Sequence, residues 1–203
     1  MKDVYYRAIS KIYFATTNQG KLHSLQKHFK NVNVDIEQCE LDIIEPQADT
    51  VEEIAMSKAL QAYKKLKKPV LVEDGGFIVD ELNGFPGPYI KFVLKTLGIE
   101  YLMQFSKTLK SRECRFVDSA VYIGALGVPH VFNARAYTGK FATKINQRND
   151  KKAWSDLWRI FIPTGATREL IELTEDERVK VNLYQNHAST LEEFSKWYKS
   201  SNS

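Results

Sequence analysis

The chain has 203 residues, of which 43% are hydrophobic and 12% aromatic, and this composition supports a folded core and excludes an intrinsically disordered protein. Its 29 basic and 25 acidic residues give a net charge of +4, which suits a small anionic ligand but is too weak to indicate nucleic-acid binding. The two cysteines, Cys39 and Cys114, lack the spacing of a thiolate metal site, and no stretch has the length of a membrane span. A cytoplasmic protein is therefore expected.

The first half of the chain alternates β-rich runs with helical patterns. Strands are predicted over residues 11–16, 32–38 and 69–74, the last of them apolar until its end and therefore central in a sheet. Thr50 and Glu53 form a capping box that opens a helix reaching about Leu66. Gly87 and Pro88 predict the start of a further helix. This order of elements predicts an α/β fold with crossover connections.

After about residue 108 the pattern becomes mainly β. Residues 113–125 and 130–142 alternate polar and apolar side chains and predict a long hairpin, and residues 158–163 predict one more strand. Ser189 and Glu192 predict the cap of a final helix. The expectation is a single domain over residues 1–203, with two lobes and a groove between them.

Polar side chains gather where the predicted strands end, and ligands of α/β sheets bind at such ends. The first strand is followed by Thr16, Thr17, Asn18 and Lys21, the loop before the capped helix contains Glu45, and the third strand ends in Glu73 and Asp74. Gly75 and Gly76 follow and would let a ligand approach the backbone. The Asn-Gln-Gly-Lys turn does not match a Walker loop, since Ala15 and Leu22 stand where that motif needs Gly and Ser or Thr.

Two further lysines point to an anion. Lys58 interrupts the buried stripe of its helix, so it either reaches an acid or a phosphate or extends its ammonium to the rim. Lys91 falls in the first turn of a predicted helix, where a cation is unfavourable unless an anion is present. Carboxylates and lysines at one edge suit a magnesium–polyphosphate complex, with Glu73 and Asp74 holding the cation or a reacting water. Structural acids paired with lysine would give the same pattern.

Two motifs resemble those of the inosine triphosphate pyrophosphatases, which cleave aberrant purine nucleoside triphosphates to monophosphate and pyrophosphate. "FATTNQGK" is similar to the family's nucleotide-binding start, Thr-Gly-Asn-x-x-Lys after a strand, and "VLVEDGGFIVDELNGFPGPYIKF" is similar to its central signature. The resemblance spans nearly the whole chain. It implies a two-lobed α/β protein with a long central mixed sheet flanked by helices, a cleft between the lobes, a homodimer, and Mg²⁺-dependent hydrolysis without a covalent intermediate.

The same resemblance implies roles for individual residues. Thr16, Asn18 and Lys21 would contact the triphosphate, and Lys58 and Lys91 would neutralise phosphate charge. Glu45 and Asp74 would hold Mg²⁺, with Asp74 also orienting or deprotonating the attacking water.

The sequence also departs from the family pattern. Thr17 replaces a usual Gly, and Gly75 replaces the Ser or Thr after the catalytic Asp. The nucleobase motif Phe-Gly-(Trp/Tyr)-Asp-Pro has Leu157, Trp158 and Arg159 in its last three places, and the later Ser-His-Arg is replaced by a stretch in which Tyr184, Asn186 or His187 could substitute. Trp158 either stacks on the base or packs in the core.

Three functions remain open from the sequence. The first is a working pyrophosphatase with altered base choice, and the second is a nucleotide-binding relative with little catalysis. The third, an RNA-binding protein, has only the number of lysines in its favour.

Overall fold

The computed structural model describes residues 10–30, 32–150 and 153–201. In these residues the strands are β1 (Ser10–Ala15), β2 (Val34–Cys39), β3 (Val70–Ile78), β4 (Pro86–Gly87), β5 (Glu113–Ile123), β6 (Pro129–Asn133), β7 (Tyr137–Phe141) and β8 (Phe161–Pro163). The α-helices are α1 (Gln19–His28), α2 (Val51–Leu66), α3 (Ile90–Thr96), α4 (Gly98–Ser106), α5 (Glu175–Gln185) and α6 (Thr190–Ser201).

The described strands form one mixed sheet in the order β2-β1-β3-β5-β7-β8, with β4 paired to β3 and β6 to β5. β1 runs parallel to β2 and β3, and the remaining pairs are antiparallel. The predicted α/β fold with a mixed central sheet is confirmed. The predicted hairpin is also present, but its second half is broken, because β6 and β7 pair with successive parts of β5.

Strand β3 is longer than predicted and does not end at its two acids. It continues through Gly75 and Gly76 to Ile78, pairing with β5 along its whole length. The absence of side chains at the two glycines leaves room for groups of the neighbouring strands β5 and β4. A Cβ at Gly75 would lie 2.7 Å from Asp118 Oδ1, and a Cβ at Gly76 would lie 3.0 Å from the carbonyl oxygen of Gly87.

The helix predicted to start at Gly87 and Pro88 begins later, at Ile90, with Tyr89 as its N-cap. The prediction was wrong because Pro86 and Gly87 pair with β3 as the short strand β4. The capping box of α2 is confirmed, since Thr50 and Glu53 bond each other's backbone amides. The start of α6 is confirmed as well, because the Ser189 hydroxyl accepts from the Glu192 amide at 3.2 Å.

Three groups of buried apolar side chains flank the sheet. One packs α1 and α6 on one face of β3 and β5, and includes Leu25, Leu71 and Phe194. The second packs α2 on the opposite face. The third surrounds Phe77, at the far end of β3. These groups fix the helices against both faces of β3, where the predicted site residues lie. Among the described residues, no helix has the length and apolar character needed to cross a bilayer.

Candidate active site

Lys58 of α2 bridges two carboxylates on one face of the sheet. Its ammonium lies 3.0 Å from Asp74 Oδ1 and 3.2 Å from Glu45 Oε2. The side chains of Lys58 and Asp74 are 18% and 13% exposed, so this cation is largely shielded from bulk water. The expectation that Lys58 reaches an acid is confirmed. A cation held between two carboxylates from separate elements is the central feature of the site.

Lys21 lies on the other face of β3, beside Glu73. Successive residues of a strand point to opposite faces, so the side chains of Glu73 and Asp74 diverge. The Lys21 ammonium is 3.7 Å from Glu73 Oε2, and the Thr190 hydroxyl donates to Glu73 Oε1 at 3.0 Å. The Glu73 side chain has no exposed surface. Glu73 is therefore a partner of Lys21 and Thr190, whereas Asp74 is a partner of Lys58.

A third acid, Asp118, joins the Lys21 side of the site. Asp118 pairs with Gly75 across β3 and β5, and its carboxylate extends over the bare backbone of that glycine. Burial raises the pKa of Asp118 to about 6 against the charge of Lys21, which lowers it. Burial lowers the pKa of Lys21, but the charges of Glu73, Asp118 and Asp74 outweigh it and leave that pKa above its ordinary value. Lys21 is thus charged and surrounded by acids.

The turn before α1 is held by hydrogen bonds of Asn18. Asn18 caps the helix by accepting from the Lys21 amide at 3.1 Å, and its own amide donates to Thr16 Oγ1 at 3.1 Å. Its side-chain nitrogen donates to the carbonyl oxygen of Trp154 at 3.1 Å, which ties α1 to the last third of the chain. Thr17 is exposed. Because no acid occupies the first turn of α1, this helix end is suited to an anion.

Lys91 is not brought to the ion pairs described above. It lies in the first turn of α3, is exposed, and takes part in none of the salt bridges found among the described residues. The structure thus groups Lys21 and Lys58 around β3 and leaves Lys91 at the surface of α3.

Trp158 has an arginine on one face of its ring. The guanidinium carbon of Arg178, from α5, lies 4.6 Å from the ring centroid, and Trp158 also packs against the apolar group around Phe77. The side-chain Nε of Arg178 and the hydroxyl of Tyr137 are buried and have no hydrogen-bond partner among the described residues. Trp158 therefore combines core packing with a cation contact, next to two polar atoms that remain unpaired.

His187 lies close to the same region. Its ring is 4.8 Å from that of Tyr137, and its Nδ1 is 2.7 Å from the carbonyl oxygen of Arg135. Burial lowers the pKa of His187, although the bond to Arg135 and the charge of Glu192 raise it. A neutral ring next to a carbonyl oxygen donates from Nδ1 and leaves Nε2 as an acceptor.

Among the described residues, no three His, Cys, Asp or Glu side chains come close enough to hold a metal ion. The predicted ligand set of Glu45, Glu73 and Asp74 is therefore not assembled, since Glu73 faces the other side of the sheet. Glu45 and Asp74 still fit magnesium, because the Lys58 ammonium already stands between them as a cation. Magnesium is commonly bound through one or two carboxylates plus substrate phosphates.

Sequence reasoning missed four polar residues of this region: Asp118, Ser119, Arg178 and Thr190. Asp118 and Ser119 interrupt the apolar alternation of β5, and such a break was the available signal. Arg178 lies in a helix opened by a second capping box, formed by Thr174 and Glu177, which was not recognised. No sequence signal pointed to Thr190, whose role depends on α6 packing against β3.

The free energy of unfolding is expected to depend on pH through Glu73. Burial raises the pKa of Glu73 to about 7, against the lowering effects of Lys21 and Thr190. In the unfolded chain the group ionises near its ordinary value of 4.5, so between 4.5 and 7 the unfolded state binds fewer protons than the folded one. The free energy of unfolding should therefore fall as pH rises through this window, by on the order of 2–3 kcal/mol.

Chemical denaturation of the metal-free protein between pH 5 and 7.5 measures this slope, and Glu73→Gln should reduce it. Glu100→Gln, on the exposed side of α4, serves as the control and should leave it unchanged. Equal slopes for the wild type and Glu73→Gln would contradict the assignment to Glu73.

Comparison with known proteins supports one family. The sequence profile of the Ham1 family matches residues 12–197. A dITP/XTP pyrophosphatase of Methanopyrus kandleri is 33% identical over 189 residues, which cover 93% of this chain and 96% of that protein. A dITP/XTP pyrophosphatase of Thermococcus kodakarensis is 32% identical over 189 residues, covering 93% of this chain and 97% of that protein.

Solved structures support the same fold. A HAM1 protein from Coxiella burnetii superposes with a TM-score of 0.78 at 19% identity, covering 94% of this chain and 99% of that chain. The Ham1 protein of Staphylococcus aureus superposes with a TM-score of 0.74 at 22% identity, covering 95% of this chain and 100% of that chain.

Proposed function

The chain belongs to the Ham1 family, and we propose that it hydrolyses nucleoside triphosphates to nucleoside monophosphates and pyrophosphate. The substrates proposed are aberrant purine nucleotides such as ITP and XTP, in ribo or deoxy form, because the similar proteins are named dITP/XTP pyrophosphatases. The observation that carries the proposal is the Lys58 ammonium held between the Asp74 and Glu45 carboxylates. This arrangement supplies what a metal–triphosphate complex needs.

Glu45 and Asp74 would hold Mg²⁺ in this proposal. When bound, the ion would supply Lewis-acid stabilisation of the charge that develops on the phosphate oxygens. The Lys58 ammonium now bonds both carboxylates. Once the ion takes that place, Lys58 would turn to the phosphate oxygens and neutralise their charge. Glu73, bonded to Thr190 and facing Lys21, is assigned to the positioning of Lys21 instead of to the metal.

The reaction proposed is the attack of one water molecule on the α-phosphorus. Asp74 accepts the proton of this water as the new P–O bond forms, and the bond to the α–β bridging oxygen breaks. The leaving pyrophosphate carries away the electron pair of that bond. Lys21 and backbone amides at the start of α1, which follows Thr16 and Thr17, bind the phosphate chain. Asn18 holds this turn in place. The space over Gly75 is taken by the Asp118 carboxylate, so this glycine acts on the site through Asp118. Lys91 is proposed to reach the outer phosphate.

The nucleobase would bind near Trp158 and His187. Arg178, whose guanidinium lies over the Trp158 ring, has a buried Nε with no hydrogen-bond partner in the described part of the chain, and a carbonyl oxygen of an oxopurine could accept from it. His187 Nε2 offers an acceptor to a ring N–H. These contacts support an oxopurine and allow for a base choice different from that of the named relatives.

Pyrophosphate release from a panel of nucleoside triphosphates, measured with and without Mg²⁺, tests the proposed function. ITP, XTP and their deoxy forms should be hydrolysed in the presence of Mg²⁺, and ATP, GTP, CTP and UTP should be poorer substrates. Tight nucleotide binding without turnover would instead favour a binding protein without catalysis.

A homodimer is part of the proposal. Phe85, Tyr89 and Phe92 are large apolar residues with exposures of 50%, 41% and 66%, and they lie within eight residues of one another in the sequence around the start of α3. Covering them with a second copy of the chain would remove apolar surface from water. The solution mass measured by light scattering should be twice the chain mass of 23.4 kDa.

Phe92→Glu should reduce the solution mass to that of one chain, since it places a charge in the proposed interface. Leu126→Glu, at a turn between β5 and β6 where the side chain is 92% exposed, is the matched control and should keep the dimer. A wild-type protein of single-chain mass would refute the proposal.

A cytoplasmic location and a lack of nucleic-acid or membrane partners complete the proposal. Cys39 and Cys114 are both free thiols, which is typical of proteins in a reducing compartment. A nucleoside triphosphate is the partner that the family relationship best supports.

A further inference from the structure

Ser119 lies directly beside Asp74 in the central sheet. It is the register partner of Asp74 across β3 and β5, and of Asn133 across β5 and β6. Directly opposite residues of antiparallel strands share a face, with their Cβ atoms about 4.5–5.5 Å apart. The three side chains therefore form a row across three strands. This row faces α2, because Lys58 bonds Asp74 and the Asn133 amide donates to Glu52.

The Ser119 hydroxyl differs from both neighbours in this row. Its side chain is fully buried, and its oxygen has no hydrogen-bond partner among the described residues. Other buried serines are paired, since Ser106 donates to the carbonyl oxygen of Met103 and Ser195 to that of Glu192, each at 2.8 Å. A buried hydroxyl without a partner is destabilising, so its presence beside a candidate catalytic acid calls for an explanation.

The contacts of Asp74 supply an explanation for the unpaired Ser119 hydroxyl. Within the described residues, Lys58 donates to the Asp74 carboxylate, and the same ammonium also donates to Glu45. A bound polyphosphate attracts this ammonium, so Asp74 loses a donor at the moment when its orientation matters most. The Ser119 hydroxyl, on the neighbouring strand β5, can reach the same carboxylate.

We propose that Ser119 is a positioning residue that donates its hydroxyl hydrogen to the Asp74 carboxylate once Lys58 turns to the substrate phosphates. This inference rests on the proposed pyrophosphatase function and adds to it a residue that acts through Asp74. Ser119 holds the carboxylate in the orientation from which it accepts a proton from water. It does not contact the nucleotide, so it affects turnover and leaves substrate binding unchanged.

Ser119→Ala tests the proposal through two opposite effects. The kcat for ITP hydrolysis should fall about tenfold, as is usual when a group supporting a catalytic ligand is removed, while KM stays within twofold. The melting temperature should stay the same or rise, because the substitution removes an unpaired buried hydroxyl. Ser119→Thr keeps the hydroxyl and should restore kcat to within about threefold of the wild type.

Ser106→Ala is the matched control, since it removes a buried serine hydroxyl that has a backbone partner. This variant should lower the melting temperature and leave kcat unchanged. A Ser119→Ala protein with kcat within twofold of the wild type would overturn the inference, and so would parallel losses of kcat and melting temperature. An inactive wild-type protein would refute the proposed function itself, whereas an active wild type with an unaffected Ser119→Ala refutes only the role of Ser119.

Discussion

Replacing Asp74 by Asn is expected to reduce kcat for ITP hydrolysis by about 10²–10⁴-fold, the usual contribution of a positioned general base. The amide keeps the shape of the carboxylate but cannot accept the proton of the attacking water, and it is a poor ligand for Mg²⁺. Lys58 would keep its contact with Glu45, so the fold should survive the change. Steady-state pyrophosphate release at saturating Mg²⁺ measures the effect, and thermal unfolding checks that the variant is folded.

Asp80→Asn is the matched control for this variant. Asp80 follows the same strand, β3, but its side chain is 62% exposed and pairs with Arg115 at the surface. Its substitution should change kcat by less than twofold. If Asp74→Asn kept more than a tenth of the wild-type kcat, Asp74 would not be the base, and the proton acceptor would have to be sought elsewhere in the site.

Replacing Lys21 by Ala is expected to raise KM for the nucleotide by about 10- to 100-fold, because a charge-assisted hydrogen bond to phosphate contributes about 1.5–3 kcal/mol. The Lys21 side chain is only 15% exposed and lies beside the first turn of α1, so no nearby solvent cation replaces it easily. The loss also leaves Glu73 buried without its cation. Since burial already raises the pKa of Glu73 to about 7, that carboxyl can become protonated, and the fold should tolerate the loss.

Initial-rate measurements over a range of ITP concentrations determine KM for Lys21→Ala. Lys27→Ala provides the control on the same helix, because Lys27 is exposed and pairs with Glu175 away from β3. It should leave KM unchanged. A lower melting temperature for Lys21→Ala with an unaltered KM would mean that Lys21 only neutralises Glu73 and does not bind substrate.

Local patterns predicted many individual elements of the fold well. The predicted caps located the starts of α2 and α6, because a helix end is determined by residues only three or four positions apart. The β-rich runs located β1, β2 and β3 within a few residues. The start of α3 was misplaced because Pro86 and Gly87 are used by a tertiary strand pairing, and such pairing overrides a local helix signal.

The residue types of the candidate site could be predicted from the sequence, but their arrangement was predicted only in part. The lysines and acids around β3 were identified from the chain, and two of the three predicted metal ligands do share a cation. The division of Glu73 and Asp74 between opposite faces was missed, because β3 was expected to stop at these acids. Asp118 was missed since the strand that carries it pairs with β3 from more than 40 residues away in the chain.

The sequence alone determined which helices could form, which strand would be central and which chemical groups were available, since these properties depend on neighbouring residues. Only the tertiary structure decided which of these groups meet. Lys58 finds Asp74 because α2 packs on one face of β3, and Thr190 finds Glu73 because α6 packs on the other. Strand register and helix docking act between residues far apart in the chain, and no local pattern encodes them.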